Sequence, residues 1–184
     1  MRNVTVLIVA VASLALAGCY VQTVHPLYTE DNLTFDPGLA GTWLDANEPG
    51  GATLIEAADN NAYTVTFTGE DSDAKYEAHL VQLGESVYLD ICPAEPSQQK
   101  AGDDFLPLHH LFWIQRDGDE LRVAGIDFEW LEKQIDAGEI DIQHFRYDGR
   151  IILSEEAEEL QQSIMNLASA RNAFEEFSAF RRAK

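Results

Sequence analysis

Short segments in which apolar and polar residues alternate run through residues 39–127, separated by turn residues at intervals of about ten. The alternation is clearest in Tyr63/Val65/Phe67 and in Val87/Leu89/Ile91, and it indicates strands that turn one face toward a core. Short polar links between them favour antiparallel hairpins, because parallel strands need longer crossovers. The pattern therefore predicts strands at residues 39–45, 53–58, 63–68, 75–83, 86–91, 109–116 and 120–127.

The rest of the chain predicts helices and a further hairpin. Residues 130–138 favour a short helix, and residues 143–154, interrupted by Asp148-Gly149, favour a hairpin. Ser154 has the form of a helix N-cap, since four glutamates follow it near the positive end of the helix dipole. Apolar residues then recur on one face and predict an amphipathic helix that continues toward the C-terminus; they are Leu160, Ile164, Leu167, Phe174 and Phe177.

These elements define the expected fold class. We predict a mainly β protein with some α structure, an antiparallel up-and-down barrel of about eight strands with a C-terminal amphipathic helix. The run Leu111-Phe112-Trp113-Ile114 is apolar on both faces of its strand, so we expect the helix to cover the outside of the barrel there. Residues 92–107 are rich in proline and polar side chains, and they predict a long linking or disordered loop in preference to a lid.

The N-terminus has the three parts of a secretory signal. Arg2 supplies the positive charge, an uncharged stretch runs from Val4 to Ala17, and small residues precede a cysteine. The uncharged stretch is shorter than the ~18–20 residues that a membrane-spanning helix needs. The sequence Leu16-Ala17-Gly18-Cys19 resembles the lipobox of bacterial lipoproteins.

This resemblance implies cleavage before Cys19 and a diacylglyceryl group on its sulfur, which anchors the mature protein in a membrane. Residues 1–18 would then be the signal peptide, residues 19–38 a lipidated tether and residues 39–184 the barrel domain with its helix. Tyr20, rather than aspartate, follows the cysteine, so the outer membrane, facing the periplasm, is favoured over the inner membrane. Leu27, Tyr28, Leu33 and Phe35 suggest that part of the tether lies against the domain.

The first predicted strand carries a second resemblance. Gly41-Thr42-Trp43 resembles the Gly-x-Trp motif of the lipocalins, which are antiparallel barrels with a helix near the C-terminus. In that family the tryptophan closes one end of the barrel, often with an arginine packed on it. The resemblance implies a lipocalin-like barrel in which Trp43 has this closing role.

Composition limits the partners of the chain. It contains 12 basic and 32 acidic residues, for a net charge of −20, and 46% of its residues are hydrophobic. The hydrophobic content excludes a disordered chain, and the charge excludes nucleic acid, whose phosphates need lysine and arginine. The acidity itself favours a well-solvated surface and identifies no partner.

The cysteines and histidines give no strong site. Once Cys19 carries lipid, Cys92 has no disulfide partner, and its position before Pro93 favours a small buried filler over a nucleophile. His109 and His110 are adjacent, so in a regular strand they point to opposite faces and do not share a metal ion. For all five histidines, ordinary surface or core positions are favoured over metal ligation.

The acidic residues give candidates but no pattern of known chemistry. The groups at residues 71–73 and 117–120 lie in predicted turns, which explain them better than a calcium site does. Asp127, Glu129 and Asp141 are the first candidates for paired-carboxylate catalysis, which depends on the distance between the acids. Recognised motifs of hydrolases, metalloproteases, phosphate-binding loops or paired Cys-x-x-Cys are missing. We therefore predict no enzyme, no cofactor and no metal.

Two functions remain as expectations. The first is a membrane-anchored structural or interaction module of the cell envelope that docks another envelope protein. The alternative is a lipocalin-like carrier or sensor that binds a small apolar ligand. Bulky residues such as Tyr63, Phe67 and Phe112 have enough volume to fill a small barrel, which favours the first.

Overall fold

The structure is a computed structural model that describes residues 20–46, 51–68, 73–94, 107–170 and 172–184. Cys19, the predicted signal peptide and most of the predicted loop at residues 92–107 lie outside the described residues. The strands are β1 (Val21–Thr23), β2 (Leu33–Thr34), β3 (Gly41–Asp45), β4 (Ala52–Ala57), β5 (Ala62–Phe67), β6 (Ala74–Leu83), β7 (Ser86–Pro93), β8 (His110–Asp117), β9 (Glu120–Gly125), β10 (His144–Tyr147), β11 (Arg150–Leu153) and β12 (Ser178–Arg182). The α-helices are α1 (Phe128–Asp136) and α2 (Ala157–Ser169).

Eight antiparallel strands close into a barrel. The order around it is β6-β5-β4-β3-β12-β9-β8-β7, and β7 pairs with β6 to complete the circle. The short strand β2 adds to β6 as an extra strand. The predicted fold class, a mainly β protein with a barrel of about eight strands and a helix near the C-terminus, is confirmed. All seven predicted strands occur, with ends shifted by at most two residues.

The barrel interior is one of two apolar clusters. Every barrel strand contributes at least one buried side chain to it, which is the alternation that the sequence predicts. These side chains are Trp43, Ile55, Tyr63, Val65, Ala78, Leu80, Leu89, Ile91, Ile114, Leu121 and Phe180. The interior is therefore occupied largely by the protein's own side chains.

The second cluster lies outside the barrel, between its wall and a covering layer. Leu111 of β8 and Tyr88 of β7 face outward and pack with α2 residues such as Leu160 and Ile164. The sequence predicts this covering helix from the strand that is apolar on both faces, and the structure confirms it. Each fully buried leucine or isoleucine contributes about 1.5–3 kcal/mol, so the layer is a substantial part of the fold's stability.

The C-terminal helix is shorter than predicted at both ends, and its N-cap is Glu156 rather than the predicted Ser154. It ends at Ser169, and Asn172 adopts a positive φ of 70°, a conformation that redirects the chain. The prediction that Phe174 and Phe177 continue the helix is wrong. Residues 178–182 instead form β12, which pairs with β3 on one side and with β9 on the other. The strand occurs because an open barrel would leave both neighbouring edges unpaired.

The predicted hairpin at residues 143–154 is present but lies outside the barrel. It forms β10 and β11, which join β1 in a separate three-stranded sheet. In this sheet β1 runs parallel to β11, with Val21 opposite Ile151 and Thr23 opposite Leu153. The eighth barrel strand is therefore β12 and not part of this hairpin.

The segment from Tyr20 to Gly38 is packed against the domain. It contributes β1 to the small sheet and β2 to the edge of β6, and Leu27 is completely buried. The sequence predicts a tether here with apolar side chains lying on the domain. In the structure these contacts extend along the segment, so the folded unit begins at its first described residues.

Candidate functional site

The connections between strands define two ends of the barrel. The turns after β4, β6 and β8 lie at one end with the entry to β3, which we call the Trp43 end. The connections after β3, β5 and β7 lie at the opposite end, which we call the mouth. Parts of these connections, residues 47–50, 69–72 and 95–106, are outside the described ranges.

Trp43 is buried at its end of the barrel, with 1% of its surface exposed. Its indole Nε1–H donates a hydrogen bond of 2.8 Å to the carbonyl of Leu39. The guanidinium carbon of Arg182 lies 4.5 Å from the centre of the indole ring, within the range of a cation–π contact. A buried tryptophan with an arginine packed on it is the arrangement that the resemblance to lipocalins implies for Trp43.

Gly41 leaves room for the Arg182 side chain that packs on Trp43. A Cβ atom at this position would lie 2.0 Å from Nη1 of Arg182, and the φ of 148° disfavours any residue with a side chain. Arg182 also donates hydrogen bonds to the carbonyls of Gly38 and Ala40 and pairs with Asp119 at 3.2 Å. Arg182, from the last strand, therefore occupies the space that Gly41 leaves open and packs on the ring of Trp43.

A second arginine fixes the segment before β3. The carboxylate of Asp36 accepts two hydrogen bonds from Arg116, at 2.7 and 3.2 Å, and a third from the N–H of Gly38 at 2.8 Å. The hydrogen bonds from Arg116 hold the pKa of Asp36 below its usual value. The hydroxyl of Tyr63 bonds both the N–H and the carbonyl of Asp36, so the segment is attached to β5 as well as β8.

A cleft of about 370 Å³ adjoins this segment. It is lined by Leu39 and by the inward-facing side chains Leu80, Val87 and Ile114, with Arg116 at its polar edge. It is a half-open surface groove whose lining mixes polar and apolar side chains.

The mouth exposes part of the interior. Phe67 and Tyr76 meet edge to face with ring centres 5.4 Å apart, and Phe112 packs against the same apolar cluster while remaining partly exposed. Burial raises the pKa of Tyr76, so its hydroxyl stays protonated at neutral pH. The described residues at the mouth therefore include partly exposed aromatic side chains.

Asp90 is the most deeply buried charged side chain of the described residues, with 1% exposure on the outer face of β7. One carboxylate oxygen lies 2.6 Å from His109 Nδ1, and the other accepts a 2.7 Å hydrogen bond from the N–H of Leu27. Because an ionised carboxylate only accepts, this geometry places the His109 proton on Nδ1. Asp90 thus joins β7 to the N-terminal segment and to the start of β8.

Two further groups surround Asp90. His79 lies opposite it on β6 and packs on the ring of Tyr28, with ring centres 4.2 Å apart. Burial lowers the pKa of His79 and raises the pKa of Tyr28, so both are neutral at pH 7. The cluster is a packed polar contact between the barrel wall and the N-terminal segment.

Cys92 is two residues from Asp90 on the same strand and is a free, half-buried thiol. Burial, together with the negative charges of Asp90 and Glu77, raises its pKa to about 11. A thiol with so high a pKa is a poor nucleophile at neutral pH. Among the described residues, Cys92 makes no hydrogen bond to His109.

His110 faces the other way from His109, as the strand geometry predicts. Its Nε2 lies 3.0 Å from Nε2 of Gln22, and its ring stacks on Tyr20 with centres 5.5 Å apart. Burial lowers the pKa of His110 to about 4. The first described residues are thus packed against the start of β8, at the mouth.

The predicted catalytic acids have structural positions. Asp127 caps α1, since its carboxylate accepts a 2.8 Å hydrogen bond from the N–H of Trp130. Glu129 lies in the first turn of that helix, where its charge suits the helix dipole, and Asp141 is exposed. In the turn at residues 117–120, Asp119 binds Arg182 and Glu120 binds Arg122. Within the described ranges, histidine, cysteine and acidic side chains do not gather in threes at a position suited to a metal ion.

Two residues that make central contacts, Arg182 and Asp90, were not identified from the sequence. Arg182 lies in the C-terminal segment toward which the sequence predicts the helix to continue, and Asp90 is an inconspicuous acid within an apolar strand. An acidic residue flanked by Leu89 and Ile91 in a strand that is buried on both faces is itself the signal that could have identified Asp90. A buried carboxylate requires hydrogen-bond donors, which the sequence supplies from distant positions.

Comparison of the chain with protein-family models, with curated proteins and with solved structures gives no match. Among the described residues, no helix combines the length and the apolar character needed to cross a bilayer. The function must therefore be argued from the sequence and the geometry.

Proposed function

We propose that this chain is a lipoprotein of the bacterial cell envelope, attached through a lipid on Cys19 and favouring the periplasmic side of the outer membrane. The support is the Leu16-Ala17-Gly18-Cys19 sequence, which directly follows an apolar segment. Tyr20, which follows Cys19 in the sequence, stacks on His110 and is part of the packed domain. In this proposal the signal peptide is removed and the domain follows the anchor without a free spacer.

The barrel then acts as a structural or interaction module rather than a deep-pocket carrier. The observation that carries this proposal is the interior cluster, to which every barrel strand contributes a buried side chain. Ligand sites usually need ~300 Å³ or more of space, and large rings such as Trp43 and Tyr63 occupy the interior instead. The partner would be another protein of the envelope.

Affinity purification of the intact lipoprotein from cross-linked membranes, followed by identification of bound proteins and small molecules, tests the proposal. We expect one envelope protein in near-equimolar amount and no small molecule that survives in native mass spectrometry. A small molecule occupying most of the purified barrels, with no protein partner, would contradict an interaction module.

The cleft beside Asp36 supports a second candidate, a carrier or sensor of a small apolar ligand. Its lining includes Val87, which is partly buried, and a larger side chain there would fill the cleft. In this case native mass spectrometry should show a bound species that Val87→Phe removes. Val123→Phe is the matched control, because Val123 packs on the same cluster and does not line the cleft. Loss of the species in both variants, or in neither, would refute this site.

A further inference from the structure

The register of the small sheet places Tyr20, which follows Cys19 in the sequence, beside an exposed hairpin. β1 runs parallel to β11, and the N–H of Ile151 donates a 3.3 Å hydrogen bond to the carbonyl of Tyr20. Followed backwards, β1 therefore leads toward the turn that joins β10 to β11, formed by Asp148 and Gly149. Tyr20, the first described residue, therefore lies beside this turn.

The surface next to the turn is aromatic. Residues opposite each other in an antiparallel pair share a face, which places Phe145, Tyr147 and Arg150 on one side of the sheet. The guanidinium carbon of Arg150 lies 5.6 Å from the ring centre of Tyr20 and 5.7 Å from that of Tyr147. We call these four side chains the hairpin patch.

Two members of the hairpin patch, Tyr147 and Phe145, are well exposed, whereas Tyr20 and Arg150 are partly buried. Tyr147 is 65% exposed and Phe145 is 44% exposed, the two highest values among the large apolar side chains of the described residues. A tyrosine at this exposure has water on its hydroxyl and an unpacked ring face. Tyrosine is enriched where proteins meet the headgroups of a bilayer, since its ring is apolar and its hydroxyl is polar.

The charges around the patch differ from those of the whole chain. Arg150 lies 3.4 Å from Asp148, and Arg146, on the opposite face of β10, pairs with Asp136 at 2.5 Å and with Glu132 at 3.8 Å. Beside the patch, the charge of Arg150 is offset by that of Asp148, whereas the chain as a whole carries −20. A balanced aromatic surface suits zwitterionic headgroups, and the apolar stem of arginine allows its charge to reach them.

We propose that the hairpin patch lies in the headgroup region of the membrane that holds the lipid of Cys19, with zwitterionic phospholipid as its partner. This inference rests on the lipid anchor proposed above. The anchor brings the patch to the bilayer, and the insertion of Tyr147 and Phe145 holds the barrel in one orientation. The protein then has a fixed membrane face instead of rotating about a flexible attachment.

The test uses the mature lipoprotein in vesicles of phosphatidylcholine, with and without bromine atoms on the acyl chains near the headgroups. Tyr147→Trp places a fluorophore in the patch, and Glu85→Trp places one in the exposed turn between β6 and β7, at the Trp43 end. The parent protein, with three native tryptophans, supplies the background to subtract. Circular dichroism first shows that both variants keep the fold.

We expect brominated lipid to quench about half or more of the fluorescence added by Tyr147→Trp and little of that added by Glu85→Trp. Equal quenching at the two positions, or none at either, overturns the membrane face. The mass of the N-terminal peptide is measured on the same sample. A peptide without lipid on Cys19 refutes the anchor itself, whereas a lipidated peptide with unquenched Tyr147→Trp refutes only the hairpin patch.

Discussion

Replacing Trp43 by alanine should destabilise the barrel strongly, because the ring is 1% exposed and has two specific partners. A buried tryptophan removes roughly 150–250 Å² from water, which is worth about 4–6 kcal/mol as an upper limit. The change also leaves the carbonyl of Leu39 without its donor and the guanidinium of Arg182 without its ring, at about 1 kcal/mol each. Since truncations of large aromatic residues in cores cost about 3–5 kcal/mol, we expect a loss of about 4 kcal/mol.

Urea unfolding followed by far-ultraviolet circular dichroism measures this loss, on the domain from Tyr20 with its parent as reference. Trp43→Phe should cost only about 1–2 kcal/mol, because most of the ring volume remains while the indole N–H is lost. Trp130→Ala is the matched control, since Trp130 is partly buried at the outer layer and should cost less than Trp43→Ala. A loss below about 1 kcal/mol for Trp43→Ala, or one no larger than that of Trp130→Ala, would refute the closing role of Trp43.

Three further predictions concern other contacts, each measured by the same unfolding assay. Gly41→Ala should lower the free energy of unfolding by about 2–3 kcal/mol, because the added Cβ collides with Arg182 and the backbone has a positive φ. Gly51→Ala is the control, since Gly51 lies in open space, and it should change the free energy of unfolding by less than about 1 kcal/mol. Asp90→Ala should lower the free energy of unfolding by about 3 kcal/mol, because the hydrogen bonds to His109 and to the N–H of Leu27 are lost. A change near zero would show that Asp90 does not hold the N-terminal segment on the barrel. His110 has a pKa of about 4 in the folded protein against an ordinary 6.5, so the unfolded chain binds the proton first as the pH falls. The free energy of unfolding should therefore decrease by about 3 kcal/mol between pH 6.5 and pH 4. His110→Gln should remove this decrease, and an unchanged dependence of stability on pH would contradict the prediction.

The alternation of apolar and polar residues predicted most of the barrel strands, because this alternation occurs within each strand separately. Tyr63, Val65 and Phe67 alternate with polar residues, and the core indeed lies on their side of β5. The eighth strand was missed because Phe174 and Phe177 continue the helical spacing of α2, while β12 owes its conformation to the unpaired edges of β3 and β9. That cause is tertiary and leaves little trace in the local sequence.

The site was less predictable than the fold. Trp43 could be assigned to the barrel end from a three-residue motif, but Arg182 comes from a position 139 residues later in a strand that the periodicity did not show. Asp90, His109 and Leu27 likewise meet only after the barrel has closed and the N-terminal segment has packed on it. Contacts between distant residues require the register of the sheet, which local periodicity does not contain.

The measurement that tests the central proposal most directly is the intact mass of the protein extracted from its own membranes. The account predicts a chain that begins at Cys19 and carries the mass of a diacylglyceryl group on that residue, and it predicts that Cys19→Ala abolishes both the added mass and the membrane attachment. A mature chain that retains residues 1–18, or one that begins near Tyr20 without lipid, would contradict it.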